Sequence, residues 1–289
     1  MVYAVEDIGG GRHVAVFEQD MTESCRLSLR DPNVDAHTGE HAIVMAFQLI
    51  GAGYEGALKM NRPKGSPPDI TQVSYEFQKK LQVGKEAIFR DTASEGSSKY
   101  ESNVISSQRK QLMEGKISFG ELGTSTAKIM SDPHYQNQFV LGEEFEYKKE
   151  PVPDYELFAR GLGLSADRKT IVHPIMVAGL CTGNIADYLI EEGIVTKTES
   201  GLVAADPEKV LVFGNHAVRL YREIESLGHG DTITSYSKAR KASFEATTEE
   251  GDDSLLMRVQ TQQIGPDQRH LCDITSMLLL VPKSKIQED

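Results

Sequence analysis

Two histidines stand at the mouths of long apolar runs. His173 opens "HPIMVAGLCTGNIADYL", and His41 opens "HAIVMAFQLIGAGYEGAL". Histidine is the side chain that exchanges protons near neutral pH, so each run carries a candidate for acid–base work at its start. Asp167 lies a few residues before His173. Before His41 lies a denser polar stretch, "SLRDPNVDAHTGEHAIV", with Asp31, Asn33, Asp35, His37 and Glu40. A plainer reading stands beside each one. A histidine at a helix start also satisfies backbone groups, Asp167 also suits a helix cap or turn, and Asp31 and His37 also suit a loop. The histidines lack metal-ligand spacing, so no metal is expected. "GGGR", Gly9 to Arg12, lacks the spacing of a dinucleotide loop and reads as a turn.

The elements that must hold these residues can be read from hydrophobic patterning. From His41 to Leu58, and from His173 to about Glu192, almost no polar face is left. A helix apolar all round is buried all round, so something must wrap it. The residues after the first run supply the wrapper. In "DITQVSYEF", Val73, Tyr75 and Phe77 alternate with Ser74, Glu76 and Gln78, the period of a half-buried strand. "KYESNVISSQRK" and "GKISFGELGTS" continue as strands, with Gly115 expected in the intervening turn. After the second run come "KVLVFGNHAVRLYREIESLGHGDTITSYSKARKASFEAT", "SLLMRVQTQQIG" and "HLCDITSMLLLVP". The order repeats: helix, strand, turn, strand, strand, strand. Asn215 and His216 lie on a strand that flanks the second helix. Strand parity alone does not say which of them faces inward.

The fold class expected is therefore α+β: a double hotdog, with two long buried helices each wrapped by an antiparallel sheet. Its two sheets join edge to edge, which hides strand edges. The stretch "SDPHYQNQFVLGEEFEYKKEPVPD" carries Pro133, Pro151, Pro153 and a cluster of charges, and reads as the junction. The domains expected are residues 1–134 and 135–289.

Composition narrows the partners. The chain has 289 residues, 39% of them hydrophobic and 26% charged, with a net charge of −12. That balance is globular, and it excludes a phosphate-backbone footprint and attraction to an anionic membrane. The three cysteines, Cys25, Cys181 and Cys272, are far apart and read as reduced residues of a cytoplasmic protein. The first twenty residues do not read as a signal peptide, and no apolar run is long enough to span a membrane.

Within this frame the second half resembles the MaoC-like hydratase and dehydratase family. "LGEEFEYKKEPVPDYELFARGLG" is similar to that family's opening strand and short helix, through Gly142, Glu143, Phe145, Phe158 and Ala159. "IVHPIMVAGL" is similar to its helix-opening segment. "AVRLYREIESLGHGDTIT" is similar to its strand and turn, with Gly230, Asp231 and Thr232 matching. The resemblance covers most of residues 139 to 281; residues 20 to 122 resemble it only as a hotdog. It implies an acyl thioester substrate, on coenzyme A or an acyl carrier protein. The reaction implied interconverts 2-enoyl and 3-hydroxyacyl thioesters, with no cofactor.

That reaction needs an acid/base group and a donor for the thioester oxygen. The resemblance casts His173 as the acid/base and Asp167 as its orienting or second acidic group. The family's Asp-x-Asn-Pro-x-His element has no counterpart after Phe158-Ala159. Pro174 stands where the family has glycine; proline suits a first helical position but has no N–H to donate. The helix mouth at His41 and Ala42 keeps its N–H and is a second candidate site, with Ala42 and Asn215 as substrate contacts. "HPIMVAGL" is also similar to a segment of polyketide-synthase dehydratase domains, with Ala178 at their aspartate position. Double-hotdog acyl-CoA thioesterases are similar in overall order, and their aspartate falls near Thr182. A thioesterase, or a non-catalytic hotdog that binds acyl groups or a catalytic partner, is thus the alternative reading. A homodimer is left open.

Overall fold

The computed structural model describes residues 5–7, 12–16, 69–79, 86–91, 99–140, 145–147, 150–152, 181–198, 201–221, 231–244 and 254–285. In chain order the strands are β1 (Val5–Asp7), β2 (Arg12–Val16), β3 (Asp69–Phe77), β4 (Glu86–Asp91), β5 (Lys99–Ser106) and β6 (Gln111–Gly120). They continue as β7 (Tyr135–Val140), β8 (Phe145–Tyr147) and β9 (Glu150–Val152), then helix α1 (Cys181–Glu191). After the helix come β10 (Val195–Thr198), β11 (Gly201–Ala204), β12 (Lys209–Leu220), β13 (Thr232–Phe244), β14 (Ser254–Ile264) and β15 (His270–Pro282).

Eleven of these strands form one antiparallel sheet in the order β1-β2-β4-β5-β6-β3-β12-β15-β14-β13-β7. Outward from its middle the order is the same on both sides. β3 and β12 meet at the centre, β6 and β15 flank them, then β5 and β14, β4 and β13, and β2 and β7. The central pairing runs from Gln72–Arg219 to Glu76–Asn215, with Val73 directly opposite Val218. Both valines are 3% exposed, so the join is a packed seam as well as a hydrogen-bonded one. Edge-to-edge joining, expected from the sequence, is what the sheet shows.

The repeat extends to its turns. Ser106 and Lys110 close the β5–β6 hairpin, with Arg109 N donating to Ser106 O and Arg109 at φ 63°. Gly265 and Arg269 close the β14–β15 hairpin in the same way, with Gln268 N donating to Gly265 O and Gln268 at φ 61°. Each is a turn completed by one left-handed residue, and neither uses glycine there. The expected turn at Gly115 is therefore corrected. Gly115 lies within β6, opposite Ser102 and Tyr75, because Arg109 takes the left-handed position expected of a glycine.

Further strands complete the description. The stretch read as junction holds β7, hydrogen-bonded to β13 as an edge strand, and the small β8–β9 hairpin. After α1, the β10–β11 hairpin intervenes before β12. The two long helices are met only in part. Among the described residues there is one α-helix, of 11 residues; the run from His41 to Leu58 and the start of the second run lie outside the described residues. The described helix is not apolar all round. Ile185, Ala186, Tyr188 and Leu189 are buried, while Asp187 and Ile190 are exposed. Its last turns therefore lie on the sheet with one stripe only.

The helix ends for a local reason. Gly193 takes φ 65°, its N–H bonds to Ile190 O, and Ile194 N bonds to Leu189 O. This paired closure uses the residue type that enters the left-handed region without steric cost, and it seats buried Ile194 over Leu189.

Segment 121–134 has no regular structure and straps the second half, from β14 and β15 to the helix, where the His134 ring stacks on Tyr188 with centroids 6.1 Å apart. Gln262 binds it twice, accepting from Met130 N at 2.6 Å and donating from Nε2 to Lys128 O at 3.3 Å. Ser125 Oγ meets His270 Nδ1 at 3.3 Å, and His134 Nδ1 accepts from Ala239 N at 3.1 Å.

Candidate functional site

The face of the sheet that carries α1 is fixed by three contacts. Tyr188 of α1 meets Tyr135 edge-on at 6.0 Å, and Tyr135 is the register partner of Ser237. The Lys241 ammonium lies 5.9 Å from the Tyr188 ring centroid and pairs with Glu192 just beyond the helix. That pairing raises the Lys241 pKa, and burial raises that of Tyr188. On β13 the helix side is thus the side of Ile233, Ser235, Ser237, Ala239 and Lys241.

Register carries this face across the neighbouring strands. Ser235 lies opposite Gln263, which lies opposite Cys272. Ser237 lies opposite Thr261. Ala239 lies opposite Val259, Val259 opposite Ser276, and Ser276 opposite His216. The face is therefore not purely apolar. Met257, Val259, Ile274 and Leu278 alternate on it with a buried polar row.

The row is knitted by side-chain hydrogen bonds. Gln263 Nε2 donates to Ser235 Oγ at 3.3 Å, and Cys272 Sγ donates to Gln263 Oε1 at 3.0 Å. Ser237 Oγ and Thr261 Oγ1 lie 2.8 Å apart. Ser276 Oγ lies 2.7 Å from His216 Nδ1. Inside a protein such bonds are electrostatically stronger than in water, and a satisfied network fixes one register. Cys272 accordingly behaves as the buried thiol expected from the sequence.

His216 is 1% exposed, and burial lowers its pKa to about 3. Its ring is neutral at every pH near 7. It can give or take a hydrogen bond there, but it does not supply a positive charge.

Of the residues chosen from the sequence, His173, Asp167, His41 and Ala42 lie outside the described residues. Asn215 is described. It is half-buried and stands on the face away from α1, while His216 takes the helix side. The reason is one extra residue on β12: register shifts between Phe213 and Asn215, so Gly214 is unmatched. Among the described residues, no group of three or more His, Cys, Asp or Glu side chains could hold a metal ion. No described helix is long and apolar enough to cross a membrane.

Sequence reasoning missed the inward polar row. The signal was present in "TITSYSKA" and "RVQTQQI", where Ser235, Ser237, Thr261 and Gln263 occupy inward places of the period-2 pattern. Small polar residues at inward strand positions are hydrogen-bonded to one another, and here the register makes them neighbours.

No family model matches the chain, and no curated protein matches it. Solved structures do. One is a conserved protein of unknown function with the hotdog fold from Alicyclobacillus acidocaldarius, at 11% identity, covering 96% of this chain and 95% of that one, with TM-score 0.54. Another is the acyl-CoA thioesterase II TesB2 from Mycobacterium marinum, at 9% identity, covering 99% and 98%, with TM-score 0.50. The likeness runs the length of both partners, and with the antiparallel sheet described above it establishes that this chain has the hotdog fold.

Proposed function

We propose that the chain processes acyl thioesters carried on coenzyme A or an acyl carrier protein. The observation that carries this reading is the likeness over nearly the full length to an acyl-CoA thioesterase II. The MaoC-like motifs of residues 139 to 281 support the same substrate class independently, because they come from the sequence alone.

The reaction proposed is addition of water to a 2-enoyl thioester, or its removal from a 3-hydroxyacyl thioester. His173 acts as the acid/base and Asp167 orients it. The helix mouth at His41 and Ala42 is the second candidate site. The chain is divided near residues 134 and 135, and each half wraps one helix. Hydrolysis is the second reading, favoured by the thioesterase activity of the Mycobacterium marinum protein.

Two assays separate these readings. Incubation with crotonyl-CoA, followed at the enoyl absorbance, detects hydration; release of thiol from saturated acyl-CoA detects hydrolysis. Loss of the enoyl band without thiol release is the expected result. Thiol release without hydration moves the assignment to a thioesterase. Thermal stabilisation by acyl-CoA with neither activity moves it to a binding protein. Under the hydratase reading, His173→Ala lowers kcat about 100-fold or more, the usual weight of a positioned acid/base. An unchanged kcat in that variant clears His173 of the role.

A further inference from the structure

We propose that segment 121–134 is a lid. It lifts as a unit from the sheet face opposite α1 while the sheet stays closed, and its lifting hydrates two buried polar atoms that have no partner when it is down. The inference goes beyond the acyl-thioester reading and does not depend on it.

What lies under the strap is fixed by register. Gln263 pairs with Cys272 and Ile264 with His270, so Leu271 is unmatched on β15. Gln263 and Cys272 face the helix, and His270 therefore takes the opposite face. Asp273 and its register partner Gln262 share that face. Tyr221 completes the group. Its hydroxyl donates to Asp273 Oδ2 at 2.8 Å, and its ring meets the His270 ring edge-on at 6.1 Å. The Arg219 guanidinium lies 5.4 Å from the Tyr221 centroid.

This group is only half satisfied. His270 is 8% exposed and its Nδ1 meets Ser125 Oγ of the strap, yet its Nε2 is buried without a hydrogen-bond partner. Asp273 Oδ1 is buried without one too. Such atoms carry their full desolvation cost, which water removes on contact. The closed strap is thereby raised in free energy relative to an opened one.

Against that bias stand a few polar holds. Ser125 meets His270, Gln262 binds at 128 and 130, and Asp132 pairs with Lys238 at 3.5 Å. At the far end His134 N donates to Ser237 O at 2.8 Å, and His134 Nδ1 accepts from Ala239 N. Most strap side chains are exposed, Ile129 at 38%, whereas Ile264, Leu271 and Ile274 beneath are at 1% or less. A segment with few buried apolar contacts opens before strands that have many. Because the His134 ring rests on Tyr188, lifting also frees the end of α1. The lid thus couples one face of the sheet to the helix on the other.

The test uses the full-length chain. Acylation of His270 by diethyl pyrocarbonate, followed by peptide mass analysis, reads how often the strap lifts; amide exchange at Met130 reads the same event, and amides of the β3–β12 seam read opening of the sheet. His270 and Met130 are expected to give one opening constant, at least about tenfold above that of the seam. Gln262→Leu should raise His270 acylation about 2- to 10-fold, the weight of a lost hydrogen bond. Gln262→Glu, which keeps the acceptor for Met130 and loses the donor to Lys128 O, serves if the leucine variant does not fold. Ser125→Ala and His270→Leu both remove the Ser125–His270 contact, but only the second removes the unpartnered nitrogen. Met130 should therefore exchange more slowly in His270→Leu than in Ser125→Ala. Acylation of His270 no faster than seam exchange overturns the lid, as does acylation unmoved by the Gln262 variant. Equal Met130 exchange in Ser125→Ala and His270→Leu overturns the part given to the unpartnered atoms.

Discussion

At the scale of the residue, His216 links stability to pH. In the unfolded chain a histidine has its ordinary pKa near 6.5, whereas burial holds the folded value to about 3. Between those values the unfolded chain binds more protons than the folded one. Stability from the buried neutral ring is therefore complete above the unfolded value and is lost as pH falls from about 6.5 toward 3. From pH 7 to pH 5 the loss from this one group is about 2 kcal/mol. Urea unfolding of wild type and His216→Gln at both pH values checks it: the wild-type difference should exceed the variant's by that amount. Equal differences in the two proteins would show that His216 titrates normally. None of this was readable from the chain, because Asn215 and His216 are adjacent and only the unmatched Gly214 decides which of them turns inward. His173, by contrast, is picked out by the sequence alone, as a lone imidazole at the start of an apolar run, and lies outside the described residues.

At the scale of the element, hydrophobic patterning exposed the longer strands. β3, β12, β13, β14 and β15 lie where alternation places them, because a strand with one buried face must write that alternation into its residues. Turns were less legible. Gly115 suggested a turn and lies in β6, while Arg109 and Gln268 turn the chain in the left-handed region without suggesting it. Glycine is favoured there only by its lack of Cβ, and surrounding hydrogen bonds can hold another residue in the same place. Gly115 thus has no conformational need to be glycine. A Cβ built on it meets only Met113 Cε at 3.9 Å, an ordinary contact. Gly115→Ala is expected to stabilise the protein by about 0.5–1 kcal/mol, through the smaller freedom of the unfolded chain. A lowered midpoint in denaturant would contradict this. Leu278, fully buried on β15, gives the opposite case. Leu278→Ala should cost about 2–5 kcal/mol in the same measurement, the range for a buried leucine that leaves a cavity.

At the scale of the whole molecule, the join between β3 and β12 makes one sheet of two similar halves. The sequence announced the repeat through its two apolar runs and matching strand order. It did not announce the strap, since segment 121–134 has no periodicity to read. Its hold comes from distant partners, chiefly Gln262. Gln262→Leu removes the acceptor of the Met130 amide and the donor to Lys128 O. It should cost about 0.5–1.5 kcal/mol, the net worth of an intramolecular hydrogen bond, because Met130 N is only partly buried and Lys128 is exposed. Hydrogen exchange at Met130 should quicken while exchange in the β3–β12 seam stays slow. Faster exchange in both places would mean that the strap and the seam open together.

The unmatched Gly214 also bears on how such a molecule changes its lining. On one side of it β12 runs in step with β15 from Pro282 to Leu278, and on the other from Met277 onward. The bulge simply absorbs that residue: its loss would close the ladder with Asn215 still opposite Met277 and His216 still opposite Ser276. Were Gly214 instead drawn into the ladder as a paired residue, everything beyond it would change sides, with Asn215 turned toward the helix and His216 toward the outer surface. A slip of one place in pairing at this spot thus exchanges an entire set of interior groups, without a single substitution at the side chains concerned.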